Sequence, residues 1–405
     1  MFNHSDTQFC RPFVKQASFV ILALVAFVGL GLMGQLKADD IQVLSTSGTN
    51  NVAVADQYAY AAAGAQGVVI VDLSGPRLAG VVAPPGVTGT IDDVAIDGDL
   101  LFTLDASGTG GLSVFSIANP MQPTLVSGPV TVGVSPFAGV SAANGRVVVS
   151  GGTGLLTSRS YQADGTLEAS FSSIDLGVGQ PDVLVAEDGQ TAFVSTDFDG
   201  KTFGITVIDI TGSNLSILDQ IGIDGAGFSP GFRKPANFPI ESAQSGDTLY
   251  VASGDGVAVF DTSNPNAVKT LALIPLNTNP VNIDVVGNML YVVGNSPIGT
   301  FTSIDVSVLS SPVLQTTFLP AGSDPLGVAA TSTSVVIADA ELGVLVETLL
   351  LLGDVNQDGM VNFLDISPFI GLLSAGDTQA EADIDQNGTV NFLDISPFIG
   401  ILAGN

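Results

Sequence analysis

The sequence contains no tryptophan, one cysteine (Cys10), one histidine (His4) and only ten lysines and arginines among 405 residues. Cys10 and His4 both precede a long apolar leader. Once the leader is removed, the remaining chain has no disulfide, no thiol chemistry, no zinc site built on Cys or His, and no histidine-based catalytic triad. No glycine loop followed by Lys is present to cradle a phosphate. Without tryptophan, a sugar-stacking platform would have to come from five Tyr and the phenylalanines. The shortage of basic residues sets the formal charge at −29. Such a chain repels nucleic acid and anionic membranes and suits a salty or calcium-rich exterior. Long charge runs and low-complexity tracts are also missing, and the apolar fraction is 46%, which excludes a disordered chain.

The leader has a basic start, Arg11 and Lys15, then an almost wholly apolar run from Ala17 to Leu36. Leu36-Lys37-Ala38 and the acidic pair Asp39-Asp40 follow. This is the pattern of a signal peptide over 1–38, cleaved after Ala38, and it implies a secreted or cell-surface protein. The run also approaches the length of a membrane span, so an uncleaved anchor is the other reading.

Glycine (48) and proline (21) are plentiful, which favours short strands joined by turns. A weak repeat of roughly 40–55 residues runs through the body. Its register is marked by hairpin turns at Asp97-Gly98, Asn144-Gly145, Asp188-Gly189, Gly246-Asp247 and Gly287-Asn288, each between two apolar runs. The unit is four antiparallel strands. About seven units start near Val52, Val94, Val140, Val183, Ile240, Ile283 and Val328. The last lacks a fourth strand, and Ile41–Thr46 ahead of the first has no partner, so it is placed to complete the last unit and close a ring.

The fold class expected is therefore all-β, a propeller of about seven blades over 39–350, with a pair of β-sandwiches as the alternative. Val68–Pro76 (VVIVDLSGP) resembles the core of an LVIVD-type propeller repeat. Leu249–Pro265 (LYVASGDGVAVFDTSNP) is similar both to that family and to the YVTN-type repeats of lactonase-like propellers. Leu155–Gln162 departs from the pattern, since it lacks the aspartate that normally ends the strand.

The chemistry lies at the C-terminus, in 351–405. Two segments offset by 29 residues are nearly the same, and Val361–Gly371 and Val390–Gly400 are identical. Each has the spacing of a calcium loop. In the first, Asp354, Asn356, Asp358 and Asp365 supply side-chain oxygens at positions one, three, five and twelve, and Met360 supplies a backbone carbonyl at seven. In the second the same roles fall to Asp383, Asp385, Asn387, Asp394 and Thr389. Asn362 and Asn391 act at position nine through a water. Gly359 and Gly388 make the sharp turn at six. Oxygen donors at alternate positions suit a hard, large cation, and three carboxylates per loop repel one another without one. Two calcium ions are expected, and the metal should be needed for the fold.

Asp rather than Glu at position twelve, with no recognisable helix before the first loop, resembles dockerin type I modules. That resemblance implies a small α-helical, EF-hand-type domain in which one helix follows each loop. It also implies a cohesin-like or other extracellular protein partner. Dockerins commonly meet cohesins through positions ten to twelve and the following helix, where small polar residues are frequent. Here positions ten and eleven are Phe363-Leu364 and Phe392-Leu393, so a different cohesin, or docking onto the propeller itself, is implied.

Phe363, Leu364, Ile366, Phe369, Ile370, Leu372 and Leu373, with their repeats Phe392, Leu393, Ile395, Phe398, Ile399, Ile401 and Leu402, are expected on a buried helix face. Pro368 and Pro397 fit if Ser367 and Ser396 cap helices starting there, or if the helix kinks.

The function expected is that of a secreted, calcium-binding, non-enzymatic interaction protein: a propeller recognition body attached through the module. The rival is a propeller hydrolase or lyase of polysaccharide breakdown carried by its dockerin, acting on glycosyl or lactone bonds. No carboxylate pair of glycosidase type stands out, and no catalytic residue is assigned. Asp197-Phe198-Asp199-Gly200 reads as a turn. The basic stretch Phe228–Phe238 reads as a surface loop.

Overall fold

The computed structural model describes residues 41–44, 46, 48–82, 90–105, 111–132, 137–151, 154–177, 182–197, 203–222, 241–253, 256–295, 298–349, 352–356, 361–385 and 387–403. The leader over 1–38 lies outside the described residues, as do Asp358, Gly359, Met360, Phe198–Gly200 and Phe228–Phe238. No helix among the described residues is long and apolar enough to cross a membrane.

Seven four-stranded antiparallel sheets form the body, spanning 52–82, 91–130, 137–175, 182–222, 242–275, 280–318 and 325–348. The three strands of the last sheet are completed by Gln42–Leu44, which pairs antiparallel with Gly343–Thr348 in the register Gln42↔Val346, Leu44↔Val344. The body is thus a seven-bladed β-propeller, with the N-terminal strand sewn into the last blade. Closure leaves that blade's third strand with a neighbour on each edge.

Hairpin chemistry places the strands. Asn144 and Gly145 both sit at positive φ (45° and 82°), as a tight two-residue turn requires. In the first blade, whose turn Asp56-Gln57 contains no glycine, Asp56 takes φ 51°. Asp is one of the few residues that tolerates this.

The core lies between blades rather than within one sheet. Each neighbouring pair of blades encloses its own apolar cluster. Tyr60, Ile70, Leu101 and Phe115 fill the space between blades one and two, and Val69, Val71, Val336 and Val346 that between one and seven. Second and third strands are buried throughout. Fourth strands such as Arg77–Val82 form the outer rim and alternate between exposed and half-buried.

One position at the start of each blade recurs around the ring: Asn51, Asp93, Gly139, Asp182, Glu241, Asn282 and Gly327. Each precedes a residue paired with the same register position of the second strand, as in Val52↔Ala61, Val94↔Thr103, Val183↔Val194 and Ile283↔Val292. These side chains stitch blade to blade. Asn51 donates to Asp93. The amide of Val140 donates to Asp93 Oδ2 at 2.6 Å, and that of Val328 to Asn282 Oδ1 at 3.3 Å.

Candidate metal centre and the exposed face beside it

After Leu352 the chain makes two loops, each followed by one helix: α1 (Ile366–Ala375) and α2 (Ile395–Leu402). Asp365 and Asp394 are the residues that precede them. Pro368 and Pro397 therefore fall at the third helical position. The first-turn N–H groups have no partner within a helix, so a proline there removes nothing. This corrects the sequence expectation: neither a serine cap nor a kink is required.

The two halves hold each other. Gly353 N donates to Glu381 O at 2.7 Å, and Val390 N to Asp377 O at 2.9 Å. Gln379 Nε2 donates to Val355 O at 3.1 Å. Phe369 and Phe398, which are equivalent in the repeat, stack with centroids 4.1 Å apart. A contact between equivalent residues places a pseudo-twofold axis between the rings. Around them Leu352, Val355, Ala382, Ile384 and Val390 are buried.

In the second loop Asp383, Asp385 and Asp394 bring carboxylate oxygens within 4.8 Å of one another. Asp394 is fully buried. Its Oδ1 accepts from Asp385 N at 2.9 Å and its Oδ2 from Asn391 N at 2.8 Å. Asp383 accepts from Asn387 N at 3.0 Å and Gly388 N at 2.7 Å.

Asn387, Thr389 and Asn391 form a polar arc beside them. Thr389 Oγ1 donates to Asn387 Oδ1 at 2.7 Å, and Asn391 Nδ2 to the Thr389 carbonyl at 2.9 Å. A cation would replace these bonds. The first loop repeats the design: Asp365, also fully buried, accepts from Asn356 N at 3.0 Å and Asn362 N at 2.8 Å, and Asp354 is buried nearby in sequence.

Residues 351–405 contain no Lys, Arg or His. Asp383 and Asp394 are buried and Asp385 is exposed, and none of the three has a cationic side chain in the module to meet. Buried charges are otherwise paired or bound to metal. The donor set, all oxygen, fits a hard divalent cation.

The apolar repeat divides in a way the periodicity did not indicate. Ile366, Leu372, Leu373, Ile395, Ile401 and Leu402 pack against the core. Phe363 and Phe392 are 76% and 81% exposed, and Leu364, Leu393, Ile370 and Ile399 are also exposed. The expectation that these six line a buried face is corrected. Each Phe-Leu pair lies immediately before the position-twelve aspartate, whose carboxylate is turned inward. The backbone there presents the two preceding side chains outward.

In the propeller, the ring positions gather three carboxyls that the sequence scatters. Burial raises the pKa of Asp93 to about 6. Burial, then the charge of Asp93, raises that of Asp182. Glu241 is raised well above the usual range by burial, then by Asp182 and Asp93. Asp93 and Glu241 are half-buried. Asp182 also accepts from Ser242 Oγ at 3.2 Å. Their shared place just before the alternating run of each first strand is the sequence signal that would have found them.

Residues 352–402 match the dockerin type I domain, and residues 48–78, 243–270 and 280–319 match the LVIVD repeat. No curated protein matches the chain. Among solved structures, that of U3-55K superposes with a TM-score of 0.55 at 14% identity, covering 78% of this chain and 100% of that one. The RRP9 WD40 repeats give 0.56 at 14% identity, covering 78% and 98%. A chain of the mitotic checkpoint complex gives 0.56 at 9% identity, covering 85% and 99%. These likenesses carry the fold alone. The chain is a seven-bladed β-propeller bearing LVIVD repeats, followed by a dockerin type I domain.

Proposed function

We propose that this is a secreted attachment protein whose C-terminal module binds two calcium ions and docks onto an extracellular protein partner. Dockerin domains bind cohesin partners, and the propeller supplies a rigid recognition body. The observation that carries the reading is the pair of exposed Phe-Leu steps beside two loops whose first and last aspartates are buried and which contain no basic residue. Calcium would neutralise each loop through the carboxylates of Asp354, Asp358 and Asp365, or of Asp383, Asp385 and Asp394. It would thereby fix the turn that holds Phe363 or Phe392 outward. Two exposed phenylalanines are costly in water, and large apolar patches on a soluble surface mark contact sites. The partner surface that suits them is apolar.

The test is retention of a panel of cohesin domains on the immobilised full chain, in calcium and in chelator. Retention in calcium should be lost in chelator, in Asp354→Ala with Asp383→Ala, and in Phe363→Ser with Phe392→Ser. Retention that persists in the phenylalanine variant would sink the assigned face.

A further inference from the structure

Beyond the C-terminal module, the propeller face that carries the first hairpin turn of each blade holds a second feature of interest. Two adjoining cavities open there, of 310 and 630 Å³. They share Gly98 and Asp99, at the hairpin tip of blade two. The smaller is lined by Val54, Ile96, Ile117 and Pro120 together with Asp56 and Asp99. The larger adds Asp97, Glu187 and Tyr161. Tyr161 donates its hydroxyl to Asp97. None of Asp56, Asp97, Asp99 and Glu187 has an ion pair among the described residues, where the one salt bridge joins Arg77 to Asp72.

Acidic hairpin tips alone mean little in a chain with 39 Asp and Glu. A separate feature points to a ligand. Tyr60 lines the smaller cavity, is fully buried, and its hydroxyl has no hydrogen-bond partner. A buried phenol normally finds one, and leaving it unpaired costs about 1–3 kcal/mol. The cavity therefore combines, among its described residues, a wall that holds the unserved phenol oxygen of Tyr60, several aliphatic side chains, two carboxylates and no basic side chain. That set matches a long aliphatic stem ending in an ammonium or guanidinium group.

We propose that this groove binds a basic segment of a partner polypeptide, with one Lys or Arg side chain entering the cavity lined by Tyr60 and a second entering its neighbour beside Asp97 and Glu187. The proposal is independent of the attachment reading, because it uses no residue of 351–405.

The full chain would be titrated, in calcium and near-physiological salt, with a labelled glycine-spaced peptide carrying two lysines. Its glutamine counterpart and free spermidine would serve as comparisons. Asp99→Asn and Asp247→Asn remove the same charge at the same hairpin position of blades two and five, and only Asp99 lines the cavities. Asp99→Asn should weaken the dilysine peptide roughly fivefold, the upper end for an exposed ion pair, and Asp247→Asn less than about twofold. Tyr60→Phe should weaken it while leaving the melting midpoint unchanged or higher, since it removes an unpaired buried hydroxyl. Equal losses at Asp99 and Asp247 would overturn the proposal. So would unchanged affinity in Tyr60→Phe, binding of the glutamine peptide, or spermidine competing as well as the peptide binds.

Discussion

Replacing Asp394 by asparagine gives the sharpest test of the carboxylate loops. Asp394 is fully buried and accepts two backbone amides, at 2.9 and 2.8 Å, one on each oxygen. Asparagine keeps one acceptor and turns its NH2 towards the other amide. One charge-assisted bond is lost and a buried donor is left unserved, together worth about 1.5–3 kcal/mol. The variant also removes one of the three carboxylates that converge in the loop. A ligand present at a hundred times its Kd stabilises the folded state by about 2.7 kcal/mol, or roughly 100-fold in the opening equilibrium. Hydrogen exchange of Ile395–Leu402 on the full chain reads this segment apart from the propeller. In the parent chain, calcium should slow that exchange roughly 100-fold relative to chelator. In Asp394→Asn the response should vanish. Strand Ser334–Asp339 should exchange alike in every condition. Calcium-independent exchange of Ile395–Leu402 in the parent chain, or a full calcium response in the variant, would refute the assignment.

Further outcomes are expected. Phe363→Ser with Phe392→Ser should abolish partner retention yet leave the calcium response of α2 intact, because exposed positions change stability by only about 0.5 kcal/mol. The propeller should lose stability as pH rises through about 6, since Asp93 and Asp284 are raised to about 6 by burial. Their folded pKa lies above the unfolded value, so the stability they contribute is whole below about pH 4 and lost above the folded value. Thermal melts across that range check the sign, and a midpoint that climbs towards neutral pH would contradict it. Deleting residues through Gly48 removes the strand Gln42–Leu44 and bares an edge of Gly343–Thr348. Light scattering should then show association where the parent chain shows none.

Much of this architecture was legible because turn chemistry is local. Asp97-Gly98, Asn144-Gly145 and Gly287-Asn288 each announce a hairpin, and Ile41–Thr46, left over ahead of the first repeat, announced the closing strand. The C-terminal loops follow the same rule, since their Asp and Asn residues recur at fixed short spacings. Two features were not legible. Phe363 and Ile366 belong to one apolar run, and period alone does not say which of them finds a neighbour. The short helices are covered on one side only, so the runs split between core and solvent. Asp93, Asp182 and Glu241 are far apart in the chain and meet only because the ring closes. A blade taken singly presents each as an ordinary polar residue at or near the start of a strand.

Ring closure by Gln42–Leu44 also bears on how the molecule carries mechanical load. The module follows directly on Gly343–Thr348, the strand flanked on one edge by Gln42–Leu44 and on the other by Ser334–Asp339. Antiparallel hydrogen bonds run across the strand direction. Tension between a target held on the disc and a tethered module therefore pulls this strand lengthwise, and both ladders resist together. Tension between the two chain ends acts otherwise. Gln42 lies opposite Val346, so that pull opens the seam at one rung and then the next. A body tethered through its module would hold under drag and come apart only when its own ends are drawn away from each other.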